Sequence, residues 1–306
     1  MGELIVEIMR IENDKPLNET ALFSGPFPSG APAIFISAAA QLGNKTKIWG
    51  GVGRDKFGEV ILNRLKRDGV DVSGVIVSES GVTGSAIVAY TSGGDREFIF
   101  NLDGTASGRV RFTETPDIPD YFHVMGCSLM VNDEMKDGIE RATRYFSDNG
   151  AKISFDPNIR PSLLGKRGIM DVAGGVLSRC SVFLPGRDEL LMFAEGKSDT
   201  QDAAAFLFDR FDKLEVIHVK YGKKGSETIT RSGSTPIPVY PIEKARPIVD
   251  PTGAGDSFDA AFISALAAGK TLKEAGGLAA KAGAINSAAF GPMEGDIKND
   301  IYRELV

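Results

Sequence analysis

The stretch Asp250-Pro251-Thr252-Gly253-Ala254-Gly255-Asp256-Ser257-Phe258 sets two glycines and a carboxylate at the mouth of an apolar helical pattern. Phe258, Ala261, Phe262, Ala265 and Leu266 recur at helical spacing, and Gly269 supplies a stop. The turn therefore meets a helix N-terminus. Gly253 and Gly255 let the backbone bend tightly and approach a ligand closely. N–H groups there, with the positive end of the helix, suit a phosphate or a developing negative charge. Asp256 repels such an anion. It suits a neutral hydroxyl, whose proton it accepts as a phosphoryl group arrives. The competing reading is a helix cap without chemistry.

Two further clusters carry chemistry. Asp156-Pro157-Asn158-Ile159-Arg160 follows the apolar run from Ala151 to Phe155. Open α/β sheets hold ligands beyond the C-terminal ends of their strands, and the fork of Arg160 matches phosphate oxygens. A surface arginine is the bland alternative. Lys220-Tyr221-Gly222-Lys223-Lys224-Gly225 reads equally as a phosphate-side turn or a hairpin turn. His123 lies inside an apolar strand and reads as a satisfied interior residue. Gly51, Gly53 and Gly58 miss the dinucleotide spacing, and no GxxxxGK[ST] occurs. The presence of only two cysteines, far apart, and two histidines argues against a soft-metal site.

These residues need a scaffold. The 306 residues can bury a large core, and 42% hydrophobic with 25% charged residues is ordinary for a globular protein. A net charge of -6 argues against nucleic acid as partner. No run of about 18 apolar residues occurs, and no basic-then-apolar leader opens the chain. The sparse cysteines suit a reducing compartment, so a cytoplasmic protein without membrane contact is expected.

Gly2 to Met9 reads as a strand, and Ala31 to Gly43 as a helix with proline in its first turn. Thr46 to Gly50 is the next strand, and Phe57, Ile61, Leu62 and Leu65 mark another helix face. This βα alternation predicts a parallel sheet between helices. Residues 82 to 101 break it. Val82 to Tyr90 and Arg96 to Asn101 flank the turn Thr91 to Asp95 as a hairpin. An antiparallel hairpin does not fit inside a buried parallel sheet. With strands from residues 11 to 25 it is expected to form a lid that excludes water. From Tyr121 the alternation resumes, and Leu272 to Ser287 is an Ala- and Gly-rich helix able to pack closely on a neighbour.

The sequence resembles the ribokinase-like, or PfkB, carbohydrate kinases over nearly its whole length. Asp250 to Phe258 is similar to their Asp-Thr-x-Gly-Ala-Gly-Asp-x-Phe signature, and Gly51 to Gly58 to their Gly-x-Gly-x-Asp-x-x-Gly. The resemblance implies a three-layer, Rossmann-like α/β/α core as one domain over residues 1–306. A small β-sheet lid is expected from segments of about 11–29 and 81–110. It implies Asp256 as base, the Gly253, Ala254 and Gly255 backbone as anion hole, and Arg160 at the transferring phosphate. Glu7 and Asn158 would face the sugar, with Asp156 helping to organise the site. Lys220, Gly222, Gly225, Thr252, Gly253, Gly255 and Asn286 would line the nucleotide side. Relatives carry Asn-x-x-Glu where this chain has Gly186 to Glu189, leaving Glu189 to meet Mg²⁺ through water. ATP and Mg²⁺ are the implied cofactors. A monovalent cation such as K⁺ and a homodimer through the lid are left open.

The resemblance also bears on the substrate. Gly30, Ala31 and Ile34 stand in the sugar-pocket motif, with Ile34 where relatives carry an asparagine. Gly2 to Met9 and Gly25 to Ile36 resemble bacterial tagatose kinases of the family, and then the 2-keto-3-deoxygluconate kinases. The acid-sugar kinases place Tyr and Arg after the lid strand. Here Phe100-Asn101-Leu102-Asp103 stands there, and Asp103 would repel a carboxylate. The expected reaction is transfer of the γ-phosphoryl group of ATP to a neutral ketohexose, tagatose- or fructose-like. The alternatives are a 2-keto-3-deoxygluconate kinase and a non-catalytic sugar- or nucleotide-binding regulator.

Overall fold

The computed structural model describes residues 1–91, 96–242 and 246–305. The strands are β1 (Ile5–Arg10), β2 (Phe23–Ser29), β3 (Lys47–Gly53), β4 (Asp71–Ser78), β5 (Gly84–Tyr90) and β6 (Arg96–Asn101). They continue with β7 (Tyr121–Met125), β8 (Lys152–Asp156), β9 (Cys180–Phe183), β10 (Val216–Lys220), β11 (Ser226–Thr230) and β12 (Gly233–Ile237). The helices are α1 (Ala31–Gln41), α2 (Lys56–Asp68), α3 (Gly126–Leu129), α4 (Asp133–Asp148), α5 (Pro161–Leu164) and α6 (Ile169–Leu177). Then come α7 (Arg187–Phe193), α8 (Thr200–Arg210), α9 (Ala254–Ala267), α10 (Leu272–Ser287) and α11 (Ile297–Leu305).

Local chemistry sets the helix ends. Asp55 accepts from the Gly58 N–H at 2.8 Å to open α2, and Gly69, with φ of 94°, closes it. Thr271 and Glu274 form a capping box that opens α10.

The main sheet runs β12-β11-β10-β9-β8-β7, parallel from β7 to β10 and antiparallel beyond. Met135, Phe146, Val176, Leu190 and Leu207 cover one face, from α4, α6, α7 and α8. Phe35, Phe262, Leu278 and Ile301 cover the other, from α1, α9, α10 and α11. Neighbours Val182 and Phe183 enter opposite cores, as strand alternation requires. This is the α/β/α sandwich expected from the alternation. The Ala- and Gly-rich α10 lies close on α9, since a Cβ at Gly283 would sit 2.9 Å from the Ala254 carbonyl.

A second sheet, β2-β1-β5-β6, stands off this core as the lid. Only β1–β5 is parallel in it, and β1 departs from regular pairing with β2 between Glu7 and Met9. The expected turn residues Ser92 to Asp95 lie outside the described residues. Several strand boundaries differ from the sequence reading: the lid strand expected within residues 11–25 forms at Phe23–Ser29, and the strand read from Val82 begins at Gly84. The first strand forms from Ile5, while Gly2 donates its N–H to the Trp49 carbonyl at 3.0 Å. The strand expected to end at Gly50 runs to Gly53. A Cβ at Gly53 would meet the Gly81 carbonyl at 2.5 Å, so glycine there serves close packing within the strand.

Candidate active site

Asp256 sits buried in the first turn of α9, and its Oδ1 accepts from Asn158 Nδ2 at 3.1 Å. Burial, reinforced by the nearby Asp156 charge, lifts its pKa to about 7, against the pull of Arg160, Lys220 and Arg96. The turn ahead of it is clamped. Asp250 Oδ1 accepts from the Thr252 N–H at 2.9 Å and from its hydroxyl at 2.7 Å, and Oδ2 accepts from the Gly291 N–H at 3.0 Å. Gly253 takes φ of 74°, and a Cβ there would run into the Pro292 carbonyl. Gly255 is different: a Cβ on it would meet no protein atom within 4 Å. Among the described residues the N–H groups of Gly255 and Asp256 find no acceptor. The arrangement is an open pair of donors at a helix N-terminus beside a carboxylate poised to exchange a proton.

A closed set of contacts backs this carboxylate. Asp156 Oδ1 accepts from the Asn158 N–H at 2.9 Å and holds that residue at φ of 40°. Asp156 Oδ2 accepts from Lys220 Nζ at 2.9 Å, and Lys220 also reaches Asp259 at 2.9 Å and 3.0 Å. Burial opposes the ammonium, but Asp156 and Asp259 raise its pKa. Burial likewise opposes Asp156, which Lys220 keeps low. Lys220, expected at the nucleotide phosphates, is therefore committed inside the protein, since two carboxylates already hold its charge. Asn286 is a second correction. It is wholly buried and donates Nδ2 to the Thr252 carbonyl at 2.7 Å, so it fastens the turn and does not reach adenine. Glu189 accepts from the Ile159 N–H and the Gly186 N–H, both at 2.7 Å. It braces the turn after β8 against the start of α7. Asn158, expected at the sugar, spends its amide on Asp256.

A cleft of about 60 Å³ lies between lid and α9, lined by Glu7, Gly30, Ala31, Ile34, Arg160 and Asp256 among others. Glu7 is buried and accepts from Ser29 Oγ at 2.8 Å, while its Oε1 has no partner among the described residues. Burial lifts its pKa to about 7. Gly30 takes φ of 101°, and a Cβ there would approach the Glu3 carbonyl to 2.6 Å. Arg160 lies 5.9 Å from the Phe98 ring.

The sequence reading missed four contributors. Arg96 and Phe98 reach the cleft from β6. Glu3 lines it too, buried and bonded to Ser128 Oγ and, at 3.2 Å, Cys127 Sγ. Tyr90, at the end of β5, hydrogen-bonds through its hydroxyl to Thr252 Oγ1, so a lid strand touches the clamped turn. A charge directly before the apolar run Leu4 to Val6 signals Glu3. Nothing local signals the others. Asp103, by contrast, is exposed, bonded to the Gly104 N–H at 3.0 Å, and outside the cleft. The repulsion expected from it is absent. His123 is half-buried outside the cleft, bonded to Ser154 Oγ at 2.9 Å. Burial lowers its pKa to about 3. Gly222 and Gly225, with φ of 58° and 93°, form the tight turn joining β10 to β11.

The description "pfkB family carbohydrate kinase" fits residues 26–298 of this chain. The chain belongs to that family. This carbohydrate kinase is 31% identical over 287 residues to the 5-dehydro-2-deoxygluconokinase of Geobacillus thermodenitrificans, covering 90% of this chain and 82% of the relative. It is 30% identical to the 2-dehydro-3-deoxygluconokinase of Bacillus subtilis, covering 91% and 86%. The fructokinase of Salmonella typhimurium is 27% identical, covering 88% and 83%. Among solved structures, an E. coli protein assigned as Ribokinase II, in complex with ATP and Mg²⁺, superposes with a TM-score of 0.86. It is 34% identical, covering 99% of this chain and 96% of its own. The family membership explains the lid and the open helix end together. No helix of the described residues is long and apolar enough to cross a membrane.

Proposed function

We propose that this chain phosphorylates a six-carbon keto sugar acid of the deoxygluconate type with ATP. The observation that carries the reading is the convergence of Arg96 and Arg160 on the cleft that holds Glu7 and Asp256. Paired guanidinium groups in a sugar cleft suit a carboxylate-bearing substrate. Two deoxygluconokinases among the relatives support the same choice.

Asp256, with its pKa near 7, takes the proton of the sugar hydroxyl. The freed oxygen attacks the γ-phosphorus, and the bond to the ADP oxygen breaks. The Gly255 and Asp256 N–H groups, with the Gly253-Ala254-Gly255 turn, meet the charge on the transferring phosphoryl group. Gly30, Ala31 and Ile34 shape the floor under the sugar, and Glu7 meets a hydroxyl through its unpartnered Oε1. Gly222, Gly225 and Thr252 flank the nucleotide. The open space over Gly255 fits the close approach of a phosphate. No cluster of three metal-ligating side chains occurs among the described residues. Mg²⁺ fits that setting, since it binds largely through nucleotide phosphates, water and one or two carboxylates. Asp156 is held by Lys220 and the Asn158 N–H, and Glu189 by two backbone N–H groups, so the ion would be held through the nucleotide phosphates and water. When bound, the ion gathers and neutralises the phosphate oxygens.

A neutral ketohexose is the second reading, favoured by the fructokinase relative and by the carboxylates Glu3 and Glu7 in the cleft. A Mg²⁺-ATP coupled assay separates the two. The panel is tagatose, fructose, 2-keto-3-deoxygluconate, 5-keto-2-deoxygluconate, ribose and adenosine. We expect kcat/KM for an acid sugar to exceed that for either ketohexose by about tenfold, the scale of one good polar contact. A ketohexose at the top overturns the acid assignment and leaves the kinase standing. Asp256→Asn is expected to lower turnover by about 10² to 10⁴ with ATP binding kept. Unchanged turnover removes Asp256 from the reaction.

A further inference from the structure

Arg64, on α2, is only 8% exposed and lies outside the cleft at Asp256. An arginine that deep needs acceptors for its donors. Nε donates to Asp68 Oδ2 at 2.6 Å, Nη1 donates to Glu294 Oε1 at 2.7 Å, and Nη2 donates to the Met293 carbonyl. Asp68 is oriented in turn by the Ser37 hydroxyl, which donates to Oδ2 at 2.5 Å. With Nε tied to its own helix, the planar fork turns both Nη groups onto the loop between α10 and α11. Packing alone does not ask for this, because Ile61 and Leu65 already share a core with the Met293 side chain. Among the described residues no backbone N–H reaches the Met293 carbonyl, so Arg64 supplies the hydrogen bond that the loop leaves open.

From Met293 the loop leads straight to the turn before Asp256. Only Pro292 separates Met293 from Gly291, and its ring fixes φ between them. Gly291 donates its N–H to Asp250 Oδ2 at 3.0 Å, and Oδ1 of the same carboxylate holds Thr252. The Pro292 carbonyl lies against Gly253. At the other end of the loop a Cβ on Gly295 would sit 2.6 Å from Asn286 Cα, and Asn286 holds the Thr252 carbonyl. The turn thus leans on residues 291–295, and those residues lean on Arg64. The open N–H pair of Gly255 and Asp256 follows directly, and donors of that kind act only when aimed at where charge develops.

We propose that Arg64 is a positioning residue for phosphoryl transfer. It fixes the 291–295 loop, and through that loop the aim of the Gly255 and Asp256 N–H groups. The inference rests on the reading of this turn as the phosphoryl site, and not on which sugar is taken.

The test compares Arg64→Met, Asp68→Asn and the double variant, with Asp256→Asn beside them. Kinetics use the sugar of the panel above that the parent turns over fastest. Asp68→Asn keeps an oxygen for Nε and should keep the parent's kinetics. Arg64→Met strands the Asp68 charge and should melt lower, while the double variant removes that charge and regains most of the loss. In both Arg64 variants we expect kcat to fall by at least about tenfold with KM for ATP and sugar little changed, since a slight misplacement of donors used in the transition state acts on kcat. Amide exchange at Gly291 and Thr252 should quicken by about tenfold in the double variant. Where Arg64→Met does not fold, the double variant carries the test. A double variant that regains kcat along with its melting temperature overturns the proposal, since Arg64 then only cements α2. Exchange at Gly291 as slow as in the parent overturns it too. Lost turnover in Asp256→Asn with full turnover in the Arg64 variants overturns this inference alone. Full turnover in Asp256→Asn removes the reading of the turn, and this inference with it.

Discussion

At the scale of single residues, the two glycines of the 253–255 turn are separable. Gly253 is demanded by the protein: its φ of 74° and the Pro292 carbonyl both refuse a side chain. Gly255 is not, because a Cβ there meets only open space. Gly253→Ala is therefore expected to destabilise the fold by roughly 1–3 kcal/mol. Gly255→Ala should keep the thermal midpoint and lose activity, with the loss in KM for ATP or in kcat. An inactive but fully stable Gly255→Ala chain separates ligand approach from packing. Asp256 makes a pH prediction. Its folded pKa of about 7 lies above the ordinary carboxylate value, so the folded chain holds a proton that the unfolded chain releases first. The stability this proton confers is complete below the unfolded pKa and is lost as pH rises through 7. Asp256→Asn should accordingly melt higher than the parent at pH 8, with the difference closing towards about pH 4. A constant difference across that range contradicts the burial of this carboxyl.

At the scale of elements, the strand that ends in Tyr90 couples the lid to the clamped turn. Tyr90→Phe removes the hydroxyl and keeps the ring. We expect a severalfold rise in KM for the sugar and a smaller change in kcat, with little change in melting, as initial-rate kinetics would report. An equal fall in kcat and kcat/KM would place Tyr90 in the reaction step instead. This coupling also marks the limit of the sequence. The βα alternation, the helix stops and the hairpin that leaves the core were legible because each depends on neighbours a few residues apart. The motif around Asp256 was legible for the same reason. Lys220 and Asn286 were misjudged because their partners are distant: Asp156 lies 64 positions from Lys220, and Thr252 lies 34 from Asn286. A lysine beside a glycine-rich turn looks like a phosphate ligand until two buried carboxylates appear next to it. Asp103 misled in the other direction, since sequence placed it near the sugar and the chain turns it to solvent.

At the scale of the whole molecule, the contacts Asp259–Lys220–Asp156 tie helix α9 to strands β10 and β8. The sheet layer and the helix layer that carries Asp256 are thereby locked in register. Lys220→Met leaves two buried carboxylates uncompensated and is expected to cost about 3–5 kcal/mol by denaturant unfolding. Adding Asp259→Leu should return part of that loss, because one stranded charge goes with it. A double variant no more stable than Lys220→Met would show that the three groups do not act as a unit.

The first ordered strand has a mechanical consequence. The backbone just before β1 is anchored beside β3, while β1 itself forms the middle of the lid. The lid is thus an outgrowth of a beam rooted in the core, with no free loop on that side to act as a hinge. Closing it means applying torque to the beam, and torsion gathers where the ladder is already irregular, between Glu7 and Met9. Glu7 also faces the cleft. On the proposed sugar contact of Glu7, rotation of the lid would move the residue that grips the substrate, and no separate relay would have to carry the message.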